Sequence, residues 1–416
     1  MRRVVITRVG VISPNAHSFF EFSDALRSGR SGIGVIDYFN PETFSTRIVG
    51  QVTGFDKHTL INRFPELARI SDNKVFFGIH AFLEMLGDYS FTGKECAINL
   101  GTSLESFAIE KLFKLSPFKF DMDRYLDALA EHRAEPYLQL PLDYLGSFLK
   151  KNFGIGGANY VNCSACTAST QAIGHSFQMI RDGRYNMIVA GGFDSMLNPL
   201  GLGGFAALGA LSDENDRGPE AIRPFDATRT GTILGEGAAV FLLEDLESAL
   251  NNGAEILAEI KGYCSTLDAY KVSEPSSEGI IAAMEGALAD AGIDGGAPDY
   301  ISAHGTGTPL NDTIETDAIK KVFKERAYRI PVSSMKSMIG HLVGASGAVE
   351  VAGIIAMLKG DFIAPTINLE QRDPACDLDY VPKTSRCERI SVALKNSMGF
   401  GGQNASLVIQ RYIPKY

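Results

Sequence analysis

The sequence predicts an α/β protein that is built from two similar halves. Short apolar runs, many rich in Val and Ile, alternate with segments of helical periodicity through most of the 416 residues. In each half a strand ends in a turn of small residues that opens a long helix, at Cys166 in the first half and at Gly344–Ser346 in the second. Each half also finishes in a pair of strands. We therefore predict a duplicated α/β unit, with one half over residues 1–250 and the other over residues 251–416.

The individual elements follow from the same patterns. Apolar runs bounded by glycine or polar residues predict the strands, which are Val4–Thr7, Cys96–Leu100, Tyr160–Asn162, Met187–Ala190, Ala238–Leu243, Ile256–Gly262, Tyr300–Ala303, Val332–Ser334, Ser391–Asn396 and Ser406–Gln410. Apolar residues at helical spacing predict the helices, which are Phe19–Ser28, Asp72–Leu86, Ser106–Phe113, Thr167–Asp182, Glu278–Ala291, Asn311–Phe323 and Ser346–Lys359. Residues 107–142 depart from both patterns, and we interpret them as a mixed helix-and-loop excursion that forms a cap or a subunit contact.

Composition narrows the class of protein. With 45% hydrophobic and 21% charged residues the chain is an ordinary globular protein. Its net charge of −10 argues against a nucleic-acid partner, which would require a basic surface. The six scattered cysteines do not form a disulfide framework and suit a reducing cytoplasm, where we expect the protein to reside.

Two segments superficially resemble membrane or export signals. The N-terminal apolar run is broken early by Arg8 and Gly10, so a first strand is the better interpretation than a signal peptide. The uncharged stretch Ser195–Ser212 contains Pro199 and several glycines, which favours a buried loop followed by a short helix. We therefore predict no membrane span.

The first candidate for chemistry is Cys166, which follows the strand ending at Asn162 and precedes the helix Thr167–Asp182. At a helix N-terminus the unpaired N–H groups and the helix dipole favour a thiolate, which could attack a carbonyl whose oxygen is held by the cysteine's own N–H. With Cys163 it also forms a C-x-x-C pair, typical of a redox dithiol or of half a zinc site. The sequence has no second close ligand pair for zinc, and a thioredoxin-like dithiol would lie near the start of a small domain. Taken alone, an inert buried cysteine remains the simplest interpretation.

Two histidine loops weaken that interpretation. His304 follows the strand Tyr300–Ala303 directly, at the carboxyl end of a strand where open α/β sheets place their ligands. His341 lies in a second such loop, after the strand Val332–Ser334. Two imidazoles from equivalent loops could donate hydrogen bonds to one developing oxyanion, each worth about 3–4 kcal/mol of barrier. A lone histidine would more simply tie down its loop.

The charged residues around these loops suggest support rather than catalysis. Lys336 could stay buried only if it is paired, and Glu350 on the following helix is the natural partner. Asp312 and Glu315, one turn apart at the start of the Asn311 helix, are typical of capping and loop-anchoring groups.

Near the C-terminus, Phe400 stands among three glycines between two predicted strands. So permissive a backbone suits a turn whose N–H groups point into a site, with Phe400 as a gate. A hairpin turn with a packed phenylalanine explains the same residues equally well.

Taken together, these motifs resemble the β-ketoacyl-acyl carrier protein synthases, particularly the elongating synthase II branch. The motifs are S-A-C-T-A-S around Cys166, H-G-T-G-T-P-L-N-D-x-x-E from His304, S-M-K-S-M-I-G-H ending at His341, and G-F-G-G-Q-N around Phe400. The resemblance runs over nearly the whole chain and is clearest from Tyr160 to Gln410.

The resemblance implies a thiolase-like five-layer αβαβα sandwich of two duplicated halves, usually a homodimer and in some pathways a heterodimer. It implies a decarboxylative Claisen condensation without metal or redox cofactor. Cys166 would accept an acyl group from an acyl carrier protein, with the N–H groups of Cys166 and Phe400 holding the oxyanion. His304 and His341 would then stabilise the enolate formed from malonyl carrier protein, and Lys336 would hold the histidine loop together with Glu350.

The resemblance also suggests where substrates and partners bind. Leu104, Phe107 and Phe205 would line the acyl pocket. A local basic patch for an acidic carrier protein would comprise Arg63, Arg69 and Lys74. An ordinary solvated charged face explains that patch equally well.

The chain departs from the family pattern at several positions. Glu105 stands where elongating synthases usually carry a glycine-rich turn, Met398 replaces a common phenylalanine, and residues 111–142 have no obvious counterpart. None of these changes removes a catalytic group, but they touch the gate and the substrate entrance. Fatty acyl, polyketide and aryl polyene chains therefore all remain open as substrates.

Two other classes also remain open. A non-catalytic partner subunit of the chain-length-factor type usually lacks the nucleophile, so Cys166 and both histidines argue against it. A thiolase-like acyl-CoA condensing enzyme typically uses a second cysteine late in the chain, whereas the turn after Asn396 has none and Cys376 and Cys387 lie upstream of it.

Overall fold

A computed structural model describes residues 1–104, 106–107, 138–272, 274–293 and 296–414. The strands are β1 Val4–Ile12, β2 Gly34–Val35, β3 Ile48–Val49, β4 Ala97–Gly101, β5 Ser106–Phe107, β6 Leu138–Leu140, β7 Asn159–Asn162, β8 Met187–Ser195, β9 Glu236–Asp245, β10 Ala258–Leu267, β11 Tyr300–Ser302, β12 Val332–Ser333, β13 Val392–Gly399 and β14 Gln403–Gln410. The α-helices are α1 Phe19–Ser28, α2 Lys57–Arg63, α3 Asn73–Leu86, α4 Tyr144–Phe153, α5 Ala168–Arg181, α6 Pro199–Ala207, α7 Leu246–Asn251, α8 Ser277–Asp290, α9 Pro309–Phe323, α10 Lys336–Ile339 and α11 Ser346–Gly360.

The sheet shows the duplication directly. Its ten strands run in the order β12-β11-β13-β14-β10-β1-β9-β8-β4-β7. Five strands of this sheet come from the first half of the chain and five from the second. Counted outward from the junction, the first set runs β1, β9, β8, β4, β7 and the second runs β10, β14, β13, β11, β12. When the strands of each set are numbered in chain order, both sets run 1, 5, 4, 2, 3. The two sets join where β1 pairs antiparallel with β10, with Val4 opposite Ile260. The predicted repetition of one α/β unit is confirmed.

Helices and strand sets form five layers. Helices α5 and α11 pack on each other and contact strands of both sets, so they form the central layer. Helix α3 covers the outer face of β1, β8 and β9, while α8 covers β10 and β14 and packs on α9. Three apolar cores fill the spaces between these layers. This is the thiolase-like αβαβα arrangement that the sequence motifs implied.

The central helices cross closely because of their small residues. A Cβ atom at Gly347 would collide with the side chain of Thr170, so only glycine lets α11 approach α5 at this point. The Ala348 N–H donates to Ser169 Oγ at 2.9 Å across the same crossing. Every residue of α11 from Ser346 to Leu358 is buried. The 18-residue stretch Val343–Gly360 is apolar enough for a membrane span, yet 89% of it is buried inside the protein, as expected of a core helix.

Both central helices begin in the same unusual way. Ala165 has φ 49° and opens a 3₁₀ turn, Ala165–Thr167, that runs into α5. In the other half Val343 has φ 46° and opens the 3₁₀ turn Val343–Ala345 before α11. Such positive φ values strain residues with a side chain and are held only where the surrounding structure enforces them. Cys166 and Gly344 thus occupy equivalent positions in the two halves.

Most predicted elements are confirmed. Every predicted strand is present, and α1 has the predicted bounds because Ser18 caps its N-terminus and Gly29 ends it in a left-handed conformation. The predicted helix Ser106–Phe113 and most of the 107–142 excursion lie outside the described residues. The sequence patterns missed the helices α2, α4, α7 and α10.

Candidate active site

One cavity of about 410 Å³ collects the candidate residues from both halves. Its walls include Cys166, His304, His341 and Phe400, with Phe205 and Leu310 among the apolar residues towards its mouth. The site therefore forms where the loops after β7, β11, β12 and β13 meet around the N-termini of the central helices.

Cys166 lies in the strained elbow before α5 and is only 4% exposed. Burial raises the pKa of its thiol to about 12, although the Lys336 ammonium and the N–H groups of Phe400 and of Cys166 itself act in the opposite direction. The expectation of a resting thiolate is therefore wrong, because desolvation outweighs the helix dipole and the neighbouring donors. The nucleophile must lose its proton when a substrate reaches it.

The two histidines face each other across the cavity, with ring centroids 5.3 Å apart and ring planes at 85°. Burial and the positive charge of Lys336 lower the pKa of both imidazoles well below the usual value, so both are neutral at neutral pH. Lys336 Nζ lies 3.5 Å from His304 Nδ1. Because an ammonium can only donate, Nδ1 of His304 accepts, and its proton is carried by Nε2. His341 Nδ1 is hydrogen-bonded to Ser346 Oγ at 2.9 Å.

Behind the histidines lies a fully buried charge cluster. Lys336 Nζ contacts Glu350 Oε1 at 2.5 Å, which is the pairing expected from the sequence. Glu350 has a second partner, because Lys395 Nζ lies 2.8 Å from its Oε2. Lys395 is on β13 and is as buried as Lys336, at 0% exposure. Sequence reasoning missed it, since a single lysine within a predicted strand usually points to solvent.

Asp312 and Glu315 hold the His304 loop by its backbone. Both oxygens of Glu315 accept from the loop, from the His304 N–H and the Gly305 N–H at 2.9 Å each. Asp312 accepts from the N–H of Gly307 at 3.2 Å and of Phe225 at 2.8 Å. Burial raises the pKa of both carboxyl groups. Neither lines the cavity, so they are loop anchors rather than acid–base groups.

The turn between β13 and β14 brings backbone donors to the nucleophile. Gly401 and Gly402 have φ 84° and 77°, values that favour glycine, and they let the chain reverse directly after Phe400. The Phe400 N–H is thereby directed at the Cys166 sulfur. The Phe400 ring lies 5.9 Å from that of Phe205, and both residues line the cavity.

Only some of the predicted pocket and docking residues lie where the sequence predicts them. Phe205 lines the cavity, whereas Leu104 is 57% exposed and does not line it. The side chain of Phe107 lies outside the described residues. Arg63 and Arg69 are exposed on and after α2. Lys74 is not part of that surface, which corrects the sequence-based prediction.

Lys74 is drawn inward by the start of α3. It is 6% exposed, donates to the Leu104 carbonyl and lies 3.6 Å from an oxygen of Asp72, the residue that caps the helix. A lysine satisfied in this way has no free charge to offer a partner.

Sequence reasoning also missed Asp194 at the end of β8. It is fully buried and accepts from Ser103 Oγ at 2.9 Å and from the Gly344 N–H at 2.7 Å. Gly344 is the residue of the second half that is equivalent to Cys166. The Asp194 carboxylate therefore binds the N–H that corresponds to the Cys166 N–H. Within the residues that the structure describes, no three His, Cys, Asp or Glu side chains are grouped so as to hold a metal ion.

The fold and the site define an acyltransferase of the condensing type. Comparison with known proteins gives the family. Residues 1–249 match the family model described as beta-ketoacyl synthase, N-terminal domain, and residues 257–370 match beta-ketoacyl synthase, C-terminal domain. The chain belongs to the beta-ketoacyl synthase family.

Relatives in two kinds of pathway are similar over their full length. The chain is 36% identical to 3-oxoacyl-(acyl-carrier-protein) synthase 2 of Synechocystis sp., covering 99% of this chain and 98% of that one. Among solved structures, the ishigamide ketosynthase/chain length factor gives a TM-score of 0.88 at 30% identity, covering 99% of this chain and 100% of that one. A type II PKS ketosynthase, solved in complex with its acyl-carrier protein and bound to the hexaketide, gives a TM-score of 0.83 at 29% identity with the same coverage.

Proposed function

We propose that the protein is a β-ketoacyl-(acyl carrier protein) synthase that extends fatty acyl or polyketide-type chains by two carbons. The observation that carries the proposal is the meeting, in one buried cavity, of a cysteine nucleophile, two neutral histidines and a backbone donor from the Phe400 turn. Separate groups are thus available for acyl transfer and for enolate stabilisation, which are the two halves of a condensation.

In the first half-reaction, Cys166 takes the acyl group from a carrier-protein thioester. The sulfur attacks the carbonyl carbon, and the N–H groups of Cys166 and Phe400 stabilise the resulting oxyanion. The bond to the carrier's thiol then breaks, and that thiol leaves with a proton. Since the pKa of the Cys166 thiol is raised, its proton must pass to a base during the attack, and the neutral imidazole of His341, whose Nδ1 faces Ser346 Oγ, is able to accept it.

In the second half-reaction, a malonyl thioester loses carbon dioxide. The electrons of the broken carbon–carbon bond form an enolate, whose oxygen accepts hydrogen bonds from His304 and His341. A neutral imidazole is suited to this task because its N–H can donate a hydrogen bond to the enolate oxygen without transferring the proton to the enolate. The enolate carbon attacks the acyl thioester, and Cys166 leaves as a thiolate that takes up a proton from water to regenerate the thiol. The product is a 3-ketoacyl carrier protein.

We also propose that the chain works as a dimer in the cytoplasm. Strand β7 is at one end of the ten-stranded sheet, and its Tyr160 is 39% exposed, so a second chain can extend the sheet there. Among the described residues, none of the six cysteines forms a disulfide, which suits a reducing compartment. A homodimer gives one species of twice the chain mass in light scattering, whereas a monomer under the same conditions supports a requirement for a different partner chain.

Reconstitution tests the proposed reaction. Purified protein, acyl carrier protein loaded with an acyl group and malonyl carrier protein are mixed, and the carrier-bound product is measured by mass. We expect a 3-ketoacyl product from the wild type and from Cys387→Ala, which removes an exposed cysteine, and none from Cys166→Ala. Condensation by Cys166→Ala at the wild-type rate would refute the proposal.

A further inference from the structure

Lys395 is a buried cation that the reaction scheme above does not use. It lies on β13, five residues before Phe400, and is 0% exposed. Alternate residues of this strand face the central helices: Lys395 reaches Glu350 on α11, and Ser397 reaches Thr170 on α5. A position of this kind is normally apolar, since an unbranched apolar side chain fills the same space without the cost of burying a charge.

The Lys395 ammonium has three polar neighbours. It lies 2.8 Å from Glu350 Oε2, donates to Ser397 Oγ at 3.0 Å and donates to the carbonyl oxygen of Asn396. Burial lowers the pKa of Lys395, and the charge of Glu350 acts in the opposite direction. Ser397 Oγ is in turn hydrogen-bonded at 2.7 Å to Thr170 Oγ1, on the first turn of the nucleophile helix.

The same ammonium fixes the orientation of Glu350. That carboxylate has one oxygen on Lys336 and the other on Lys395, so it cannot rotate without breaking a buried ion pair. Lys336 is the group that lies 3.5 Å from His304 Nδ1. A chain of contacts thus runs from Lys395 through Glu350 and Lys336 to His304.

The cluster also carries an excess of positive charge. Two ammonium groups share the one carboxylate of Glu350, and the next carboxylate that Lys395 influences is Glu315, which holds the His304 loop. A positive potential behind both histidines favours their neutral forms and favours negative charge on an enolate in front of them.

Resting on the proposed function, we propose that Lys395 is a positioning residue for the decarboxylation half-reaction. It locks Glu350 so that Lys336 presents His304 as an Nε2 donor, and its charge keeps His304 and His341 neutral. Acyl transfer to Cys166 relies on backbone donors instead and does not depend on Lys395.

The first test is Lys395→Met, which keeps the length of the side chain and removes the charge. The matched control is Lys261→Met on β10, a half-buried strand lysine far along the sheet from the cavity. We expect Lys395→Met to be acylated at Cys166 like the wild type but to decarboxylate malonyl carrier protein up to about a hundredfold more slowly. The acid limb of its decarboxylation profile should move to higher pH, because the histidines then protonate more easily. A decarboxylation rate equal to that of the wild type would overturn the proposal. So would rates of acylation and decarboxylation that fall by the same factor, without a shift of the pH profile of decarboxylation.

A second test does not depend on activity. Glu350→Gln leaves Lys336 and Lys395 unpaired next to each other, and adding Lys395→Met removes one of them. We expect the double variant to have a higher Tm than Glu350→Gln alone. A double variant whose loss of Tm is the sum of the two single losses contradicts the coupling. If the wild type and Lys261→Met fail to condense, the proposed function fails, while this comparison of Tm still tests the role of Lys395.

Discussion

Replacing His304 with alanine should separate the two half-reactions. The variant loses the Nε2 donor that Lys336 orients, but the N–H groups of Cys166 and Phe400 that serve acyl transfer remain. We therefore expect His304→Ala to form the acyl-Cys166 adduct and to release carbon dioxide from malonyl carrier protein much more slowly than the wild type.

The size of the effect follows from the geometry. His304 is one of two imidazoles that face the same part of the cavity, and loss of one such donor to an oxyanion costs about 3–4 kcal/mol, or about 10²–10³ in rate. His341 keeps its own bond to Ser346, so it stays in place and accounts for the residual rate.

Both steps are measured on the same sample. Intact-protein mass follows the adduct after mixing with acyl carrier protein, and the mass of the carrier follows the conversion of its malonyl group to acetyl. His58→Ala, an exposed histidine on α2, is the matched control. The ratio of the two rates removes any effect on carrier docking. An unchanged ratio in His304→Ala would refute the division of labour between the histidines and the backbone donors.

Three further predictions concern the electrostatics of the site. Burial raises the pKa of Cys166 to about 12, so its rate of alkylation by iodoacetamide without substrate should keep increasing with pH up to about pH 9.5. Peptide mapping measures this rate, with the exposed Cys387 as the reference. A rate that reaches a plateau near pH 7 would instead show a resting thiolate. Glu350→Gln leaves two buried ammonium groups without a carboxylate and should cost about 3–5 kcal/mol of unfolding free energy, measured in urea. Lys336→Met should cost less, because Glu350 keeps its ion pair with Lys395. If Lys336→Met costs more than Glu350→Gln, the shared-carboxylate geometry is contradicted. The pKa of His341 is lower in the folded state than in the unfolded state, so as the pH falls the unfolded state binds a proton first. Below about pH 6.5 the wild type should therefore lose more unfolding free energy in urea than His341→Asn does. If both proteins lose the same free energy between about pH 7.5 and the lower pH, the prediction is contradicted.

The sequence predicts much of this fold because its patterns are local. Short apolar runs mark the strands, and the elbow residues around Cys166 and Gly344 mark the start of both central helices. His304 follows a strand directly and His341 lies in the loop after another strand, so their place at the sheet edge could be inferred. The left-handed conformation of Ala165 and Val343, by contrast, depends on the packing around the turn and has no signal in residue type.

The errors have a common cause, which is burial. Lys74 and Lys395 look like surface residues in the sequence, but both are inside, each held by partners that are distant along the chain or that are backbone atoms. The state of Cys166 was mispredicted for the same reason, since the helix dipole is a local feature whereas desolvation depends on the whole cavity. Asp194 could not be recognised because its partner, the Gly344 N–H, comes from the other half.

The most direct test of the account is to find where an acyl group becomes attached. The purified protein is offered carrier-protein thioesters of different chain length and unsaturation, and the adducts are mapped by peptide mass. We predict a single thioester adduct on Cys166, with the accepted chains distinguishing a fatty acyl from a polyketide or aryl polyene substrate. Adducts on another cysteine, or turnover of malonyl carrier protein to a 3-ketoacyl product with Cys166 never acylated, would contradict the assignment of Cys166 as the nucleophile.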